Sequence, residues 1–262
     1  METGGRDPAG LPSPAVRAPV DHIHAPAFPA KLPWINVATL RMDQQRGRPV
    51  LIEFWDFCRP NSLHTLPYMT AWHERYVEAG LRVIGVHTSG FPPSRDSDAV
   101  AAAVARLHVP YPVVVDVDYE IWNLYGNMGW PARYLFNGEG VLFEFHHGEG
   151  AYDETERAIQ ELLGVEEAIV EPRRPEDVPG ALLTPQTDDV AGVYSGPYEA
   201  GEVWAVLDGT GAVTANGRAI AITHPGAYQL VAHPHSTAGT LELSIGRGVR
   251  CHAVCFMPGL AP

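Results

Sequence analysis

Cysteine is scarce in this chain: only Cys58, Cys251 and Cys255 occur in 262 residues. An odd and scattered set excludes a disulfide-framed scaffold and fits a reducing compartment, so a cytoplasmic location is expected. Positive charge is also short, with 18 Lys and Arg against 31 Asp and Glu. No basic patch offsets the deficit, which excludes phosphate neutralisation on the scale that nucleic acid demands. No apolar run approaches the roughly 18 residues that cross a bilayer, and the N-terminus lacks the basic-then-apolar order of a signal peptide. A membrane partner is therefore not expected. C-x-x-C pairs and H-E-x-x-H motifs are missing, and Gly209-Thr210-Gly211 precedes no helical pattern, so neither a metal nor a cofactor is expected.

What is present divides the chain into four parts. Residues 1–33, rich in Pro, Gly and Ala without a period, are predicted to be an extended arm. Residues 34–165 alternate buried-strand and helix patterns. The run 49–55 (PVLIEFW) predicts a central strand interrupted by Glu53. Residues 62–79 carry apolar side chains at helical spacing, with a kink expected at Pro67 and Gly80 as the terminating glycine. A strand at 82–87, a helix at 98–107, a strand at 112–115 and a short helix at 118–125 follow. Then come strands at 133–136 and 141–146 around the turn Asn137-Gly138-Glu139-Gly140, and a helix at 153–163 with Asp153 as its N-cap.

The charged, proline-rich residues 166–183 predict a linker. Residues 184–262 read as short strands at 202–207, 212–215, 219–222, 227–232, 240–245 and 249–256, separated by turns such as Asn216-Gly217. The fold class expected is an α/β unit with a C-terminal all-β sandwich or jelly-roll domain.

Phe54-Trp55-Asp56-Phe57-Cys58-Arg59-Pro60-Asn61-Ser62-Leu63-His64-Thr65-Leu66-Pro67-Tyr68 resembles the FWTYxCINCxxTLPY stretch of the DipZ/TlpA-type thioredoxin-like redoxins and of thioredoxin domains beside NHL repeats. Ala27-Phe28-Pro29, Trp34-Ile35-Asn36, Gly85-Val86-His87-Thr88, Tyr111-Pro112, Trp130-Pro131-Ala132-Arg133-Tyr134-Leu135 and Gly148-Glu149-Gly150-Ala151-Tyr152 continue the likeness in order. The resemblance implies a thioredoxin-like fold, protein thiol or peptide partners, and a C-terminal module similar to a carbohydrate-binding sandwich.

In such folds a nucleophilic thiol sits at the N-terminus of the first long helix, where amides and the dipole favour thiolate, and a second cysteine three residues on resolves the mixed disulfide. Aligned without a gap, those two positions fall on Arg59 and Ser62. A slip of one residue instead makes Cys58 the nucleophile of a CRPN sequence. Neither register leaves a resolving cysteine nearby. Glu53 matches the buried carboxylate that serves as proton acceptor in the family, with its pKa raised by desolvation; the alternative is a carboxylate satisfied by a local hydrogen bond. Pro131 matches the cis-proline that faces the site, the alternative being a trans proline opening a strand.

Three functions follow as expectations. One is a family member that has lost dithiol exchange and acts as a binding or regulatory module. Another is a single-cysteine oxidoreductase or peroxidase, with the Cys58 thiol depressed by the helix terminus and Arg59. The last is carbohydrate or protein binding by the β domain. Cys251 and Cys255 are expected on one face of a strand, roughly 13 Å apart and too far for a shared ion or a disulfide. The paired histidines at 22 and 24, 146 and 147, and 233 and 235 are read as surface or loop residues.

Overall fold

The computed structural model describes residues 23–262; residues 1–22 of the predicted arm lie outside the described residues. The rest of the arm runs along the molecule. Ala25 N–H donates to the Gly140 carbonyl, His24 bridges Val141, and Phe28 packs on Trp34 and Tyr125.

The α/β unit comprises β1 (Trp34–Ile35), β2 (Val50–Trp55), α1 (Pro60–Tyr76), β3 (Arg82–His87), α2 (Ser97–Arg106), β4 (Val113–Val115), α3 (Glu120–Leu124), β5 (Ala132–Phe136), β6 (Leu142–His147) and α4 (Tyr152–Leu163). Its six strands form one sheet in the order β1-β4-β3-β2-β5-β6, with β2, β3 and β4 mutually parallel and β5 antiparallel to β2. Every residue of β2 is buried, because helices or the arm cover both faces of the sheet. The period of two then sorts the strand. Leu51 and Trp55 join the core beneath α1, α2 and α4, whereas Ile52 and Phe54 face the core beneath α3 and the arm. Glu53 therefore points to the α1 side.

Two local expectations are corrected. Helix α1 ends at Tyr76, ahead of Gly80, whose φ of 107° suits only glycine comfortably. The N-cap of α4 is Ala151 at φ 49°, with Asp153 inside the first turn, where its charge faces the positive helix end without a capping bond.

Beyond α4 the chain forms β7 (Leu183–Thr184), β8 (Val190–Ala191), β9 (Gly196–Gly209), β10 (Gly211–Ala215), β11 (Arg218–Ile222), β12 (Gly226–Leu241), β13 (Leu243–Ile245), β14 (Val249–Met257) and β15 (Gly259–Leu260). The strands expected at 227–232 and 240–245 are one long strand, β12, and a short β13. Register shifts after Gln229 and Ala232 absorb its irregularities against β9. Sheets ordered β12-β9-β14-β8 and β11-β10-β13 contribute to a shared buried cluster that includes Val203, Ala205, Leu207, Val213, Leu241, Val254 and Phe256.

The other face of β9 and β14 is apolar as well. Val206, Ala253 and Cys255 are buried in the core that α1 and α4 share, with Trp204 packed beside them. Strands with both faces apolar are doubly covered, and here the second cover is the α/β unit itself. Residues 166–183 also hold contacts to it. Tyr68 donates its hydroxyl to Asp177 at 2.8 Å and accepts the Arg173 N–H at 2.7 Å. No helix among the described residues is long and apolar enough to cross a membrane.

Candidate functional site

The site is built at the mouth of α1. Arg59 is the N-cap residue, in extended conformation, and Pro60 is the first helical residue, where its missing N–H costs nothing. The fixed proline geometry makes the preceding loop the variable part, and Asp56 holds it. One Asp56 oxygen accepts the Cys58 N–H at 2.8 Å; the other accepts the Gly90 N–H at 2.7 Å and the Ser94 hydroxyl at 3.0 Å. The Ser62 hydroxyl in turn accepts the Asp56 N–H at 3.3 Å. Asp56 was not singled out from the sequence, although an Asp two residues ahead of an amide that must turn inward is a recognisable Asx pattern.

Cys58 is turned into the core, with no exposed surface. Burial, with the Asp56 charge adding to it, pushes its thiol far above the ordinary value; Ser94, Arg106 and Arg59 oppose this without reversing it. The expectation of a depressed Cys58 thiol is thus corrected: it stops short of the helix mouth and loses both water and amide donors.

Arg59, itself partly buried, takes the place at the helix mouth instead. Its guanidinium carbon lies 4.2 Å from the Trp130 ring centroid and 5.1 Å from that of Phe91, within cation–π range. Gly90 makes room for it, since a Cβ there would stand 2.6 Å from the Arg59 Nε. Across the groove the Trp130–Pro131 peptide is cis. The Trp130 indole donates to the Thr88 carbonyl at 2.9 Å, and the Trp130 carbonyl accepts the Asn61 side-chain amide at 2.7 Å. Ser62 is wholly buried beneath.

Glu53 lies deeper, on the sheet under α1, opposite Arg133 in the antiparallel β2–β5 register. Both are fully buried. Desolvation lifts the Glu53 pKa to about 8, eased by the Arg133 charge and the nearby Tyr111 hydroxyl. Neither carboxylate oxygen has a hydrogen-bond partner of good geometry, so the alternative of a locally satisfied carboxylate is corrected. Arg133 spends its bonds elsewhere, donating to the Gly150 carbonyl at 2.6 Å while its guanidinium sits 5.0 Å from the Tyr152 ring centroid.

The groove is roofed by β14 and the residues around it. Arg59, Asn61, Cys255 and Met257 help to line a cavity of about 350 Å³, and Asn61, Glu149, Arg174, Met257 and Pro258 a neighbouring one of about 250 Å³. Cys251 does not join Cys255 there. A register shift between Cys251 and Ala253 re-aims the strand, placing Cys251 with the core of the β sheets and Cys255 with the core of the α/β unit. All three cysteines are free thiols. Of the paired histidines, His146 bonds the Glu149 carbonyl and His233 the Tyr198 hydroxyl.

Comparison with known proteins agrees with this geometry. Residues 23–144 match the AhpC/TSA family. The chain is 33% identical over 163 residues to DipZ of Mycobacterium bovis, an alignment covering 59% of this chain and 24% of DipZ. It is 23% identical over 138 residues to the thiol-disulfide oxidoreductase YkuV of Bacillus subtilis, covering 53% of this chain and 93% of YkuV. A solved thioredoxin-like superfamily protein superposes with a TM-score of 0.50 at 24% identity, covering 56% of this chain and 99% of that one. The chain thus spans about a quarter of DipZ. The sheet order and these matches together identify residues 23–144 as a thioredoxin-like redoxin domain of the AhpC/TSA family.

Proposed function

We propose that this chain has given up dithiol exchange and works as a binding or regulatory module, with residues 34–165 as a thioredoxin-like domain and residues 184–262 as a β-sandwich domain tied to it through residues 166–183. The observation that carries the reading is the pairing of Arg59, stacked on Trp130 at the helix mouth, with a Cys58 that has no exposed surface. Thiol exchange requires an accessible thiolate and a second thiol to resolve the mixed disulfide. Arg59 and Ser62 supply neither. A guanidinium on an indole face, an asparagine and a buried serine are groups for holding a chain by hydrogen bonds and stacking. A peptide or protein segment, cytoplasmic like the module itself, is the partner this chemistry suits.

The test is insulin-disulfide reduction with dithiothreitol as the electron source. The purified chain is expected to leave the precipitation rate at that of dithiothreitol alone, over concentrations at which a thioredoxin accelerates it many-fold. Turnover comparable to a thioredoxin would refute the reading.

A further inference from the structure

One polar cluster belongs neither to the groove chemistry nor to either core, and it lies across the seam between the α/β unit and the β sheets. His64, in the second turn of α1, is buried with its ring set between two carboxylates. Nδ1 is 3.1 Å from a Glu149 oxygen and Nε2 is 3.2 Å from a Glu202 oxygen. Glu149 comes from the loop before α4, whereas Glu202 comes from β9, so one ring joins both sides. The Trp204 indole, also on β9, lies 5.7 Å from the ring and donates to Glu202 at 2.6 Å. Arg174, from the segment ahead of β7, contacts Nδ1 and pairs with Glu149 at 2.5 Å and with Asp177 at 2.7 Å.

We propose that His64 is a proton-operated latch that holds the β unit closed over the Arg59–Trp130 groove and loosens it as the pH rises. The latch governs access to the groove assigned above and so rests on that reading. With the ring protonated, His64 and Arg174 stand against the carboxylates of Glu149, Asp177 and Glu202. With it neutral, Arg174 stands alone against them, and Nδ1 turns from a donor toward Glu149 into an acceptor for Arg174. Charge balance in a half-dry seam therefore favours the protonated ring.

The ring's own titration runs the same way. Burial works against its charge, but the hydrogen bonds to Glu149 and Glu202 outweigh burial and the opposition of Arg174, holding its pKa above the ordinary value. A base whose pKa is raised in the closed form strengthens that form fully below the open-form value, near about 6.5. That contribution is lost as the pH climbs through the higher closed-form value. The amides freed would be those of Val170 and Arg173, beside Arg174, which donate across the seam to the Glu156 carboxylate and the Tyr68 hydroxyl, each at 2.7 Å, whereas the 253–257 amides stay in the β-sheet ladder.

Hydrogen exchange on the full chain reads the latch without any ligand, so its failure and the failure of the binding reading remain distinguishable. After correction for intrinsic exchange, protection of the Val170 and Arg173 amides is expected to fall about tenfold between pH 5.5 and pH 8.5, the factor that follows from giving up one charge-assisted hydrogen bond. Amides of β3 should hold theirs. His64→Gln, which keeps polar contacts but cannot titrate, should abolish the pH dependence. Should that variant not fold, Glu202→Gln removes one of the two carboxylates and should move the midpoint to lower pH. Protection at Val170 and Arg173 that is flat with pH in the wild type, or that falls equally in His64→Gln, or a midpoint unmoved in Glu202→Gln, overturns the latch.

Discussion

Glu53→Gln is expected to raise the unfolding free energy at pH 7 by about 3 kcal/mol. The folded-state pKa of Glu53 is lifted to about 8 by burial, against about 4.3 in an unfolded chain. Between those values the folded protein keeps a proton that the unfolded chain has released. Its stability therefore falls as the pH climbs from about 4.5 to about 8, and Glu53 adds no slope on either side of that window. Glutamine has the shape of the protonated acid and nothing to titrate. Below about pH 8 it also leaves the surroundings of Arg133 as they are, because the wild-type side chain is already neutral there. Urea unfolding of both proteins at pH 4, 6 and 8 checks this. The curves should coincide at pH 4 and separate progressively above it; parallel curves would show that Glu53 finds compensation in the folded chain.

The opposite sign is expected at Asp56. Its two oxygens serve the Cys58 and Gly90 amides and the Ser94 hydroxyl, with Asp56, Cys58 and Ser94 fully buried and Gly90 partly so. Asp56→Ala strands those donors away from water at about 1–3 kcal/mol each, partly relieved by relaxation, for a net loss of about 3–5 kcal/mol. Asp56→Asn, which keeps one acceptor oxygen, should lose roughly half as much. Denaturant titration with an unchanged m-value measures both. A loss below about 1 kcal/mol for the alanine variant would mean that water or backbone motion satisfies those donors, and that the loop behind Arg59 is not held as described.

The two expectations show what each carboxylate does beneath the site. Glu53 is tolerated in the fold without penalty only when protonated, whereas Asp56 organises the loop as a multiple acceptor. The difference lies in donors: Asp56 is met by backbone amides because the chain turns sharply at Cys58, while Glu53 lies mid-strand, where the amides are committed to the sheet ladder.

The α/β unit was legible in the residues themselves because its strands are short apolar runs bounded by turn signals and its helices carry the apolar period. Trp130-Pro131 stood out for the same reason, a rigid dipeptide ahead of a strand. Other features were out of reach of local pattern. Whether Cys58 or Arg59 occupies the helix mouth depends on a turn fixed by Asp56 with Gly90 and Ser94, some 34 and 38 residues away in the chain. The bulge that separates Cys251 from Cys255 is likewise set by pairing with β9. Strict alternation over 251–255 therefore misassigns their faces.

The roof over the groove did leave a trace. Residues 203–207 (VWAVL) and 253–256 (AVCF) are apolar at odd and even positions alike, which a sheet covered on one face does not need. That pattern, read as an ordinary strand signal, marks the faces that β9 and β14 turn toward α1. His64 and Glu202 could not have been paired in advance, since 138 residues separate them and neither stands in a motif.

The most direct measurement of the central claim is alkylation of the native chain by iodoacetamide across pH 6 to 9, with peptide mass spectrometry resolving Cys58 from Cys251 and Cys255. A silent site requires Cys58 to react only through opening of the fold, at least about 100-fold more slowly than in the unfolded chain. Prompt labelling of Cys58 with a midpoint below the ordinary thiol value of about 8.5 would instead reveal an exposed thiolate at the helix mouth and contradict the account.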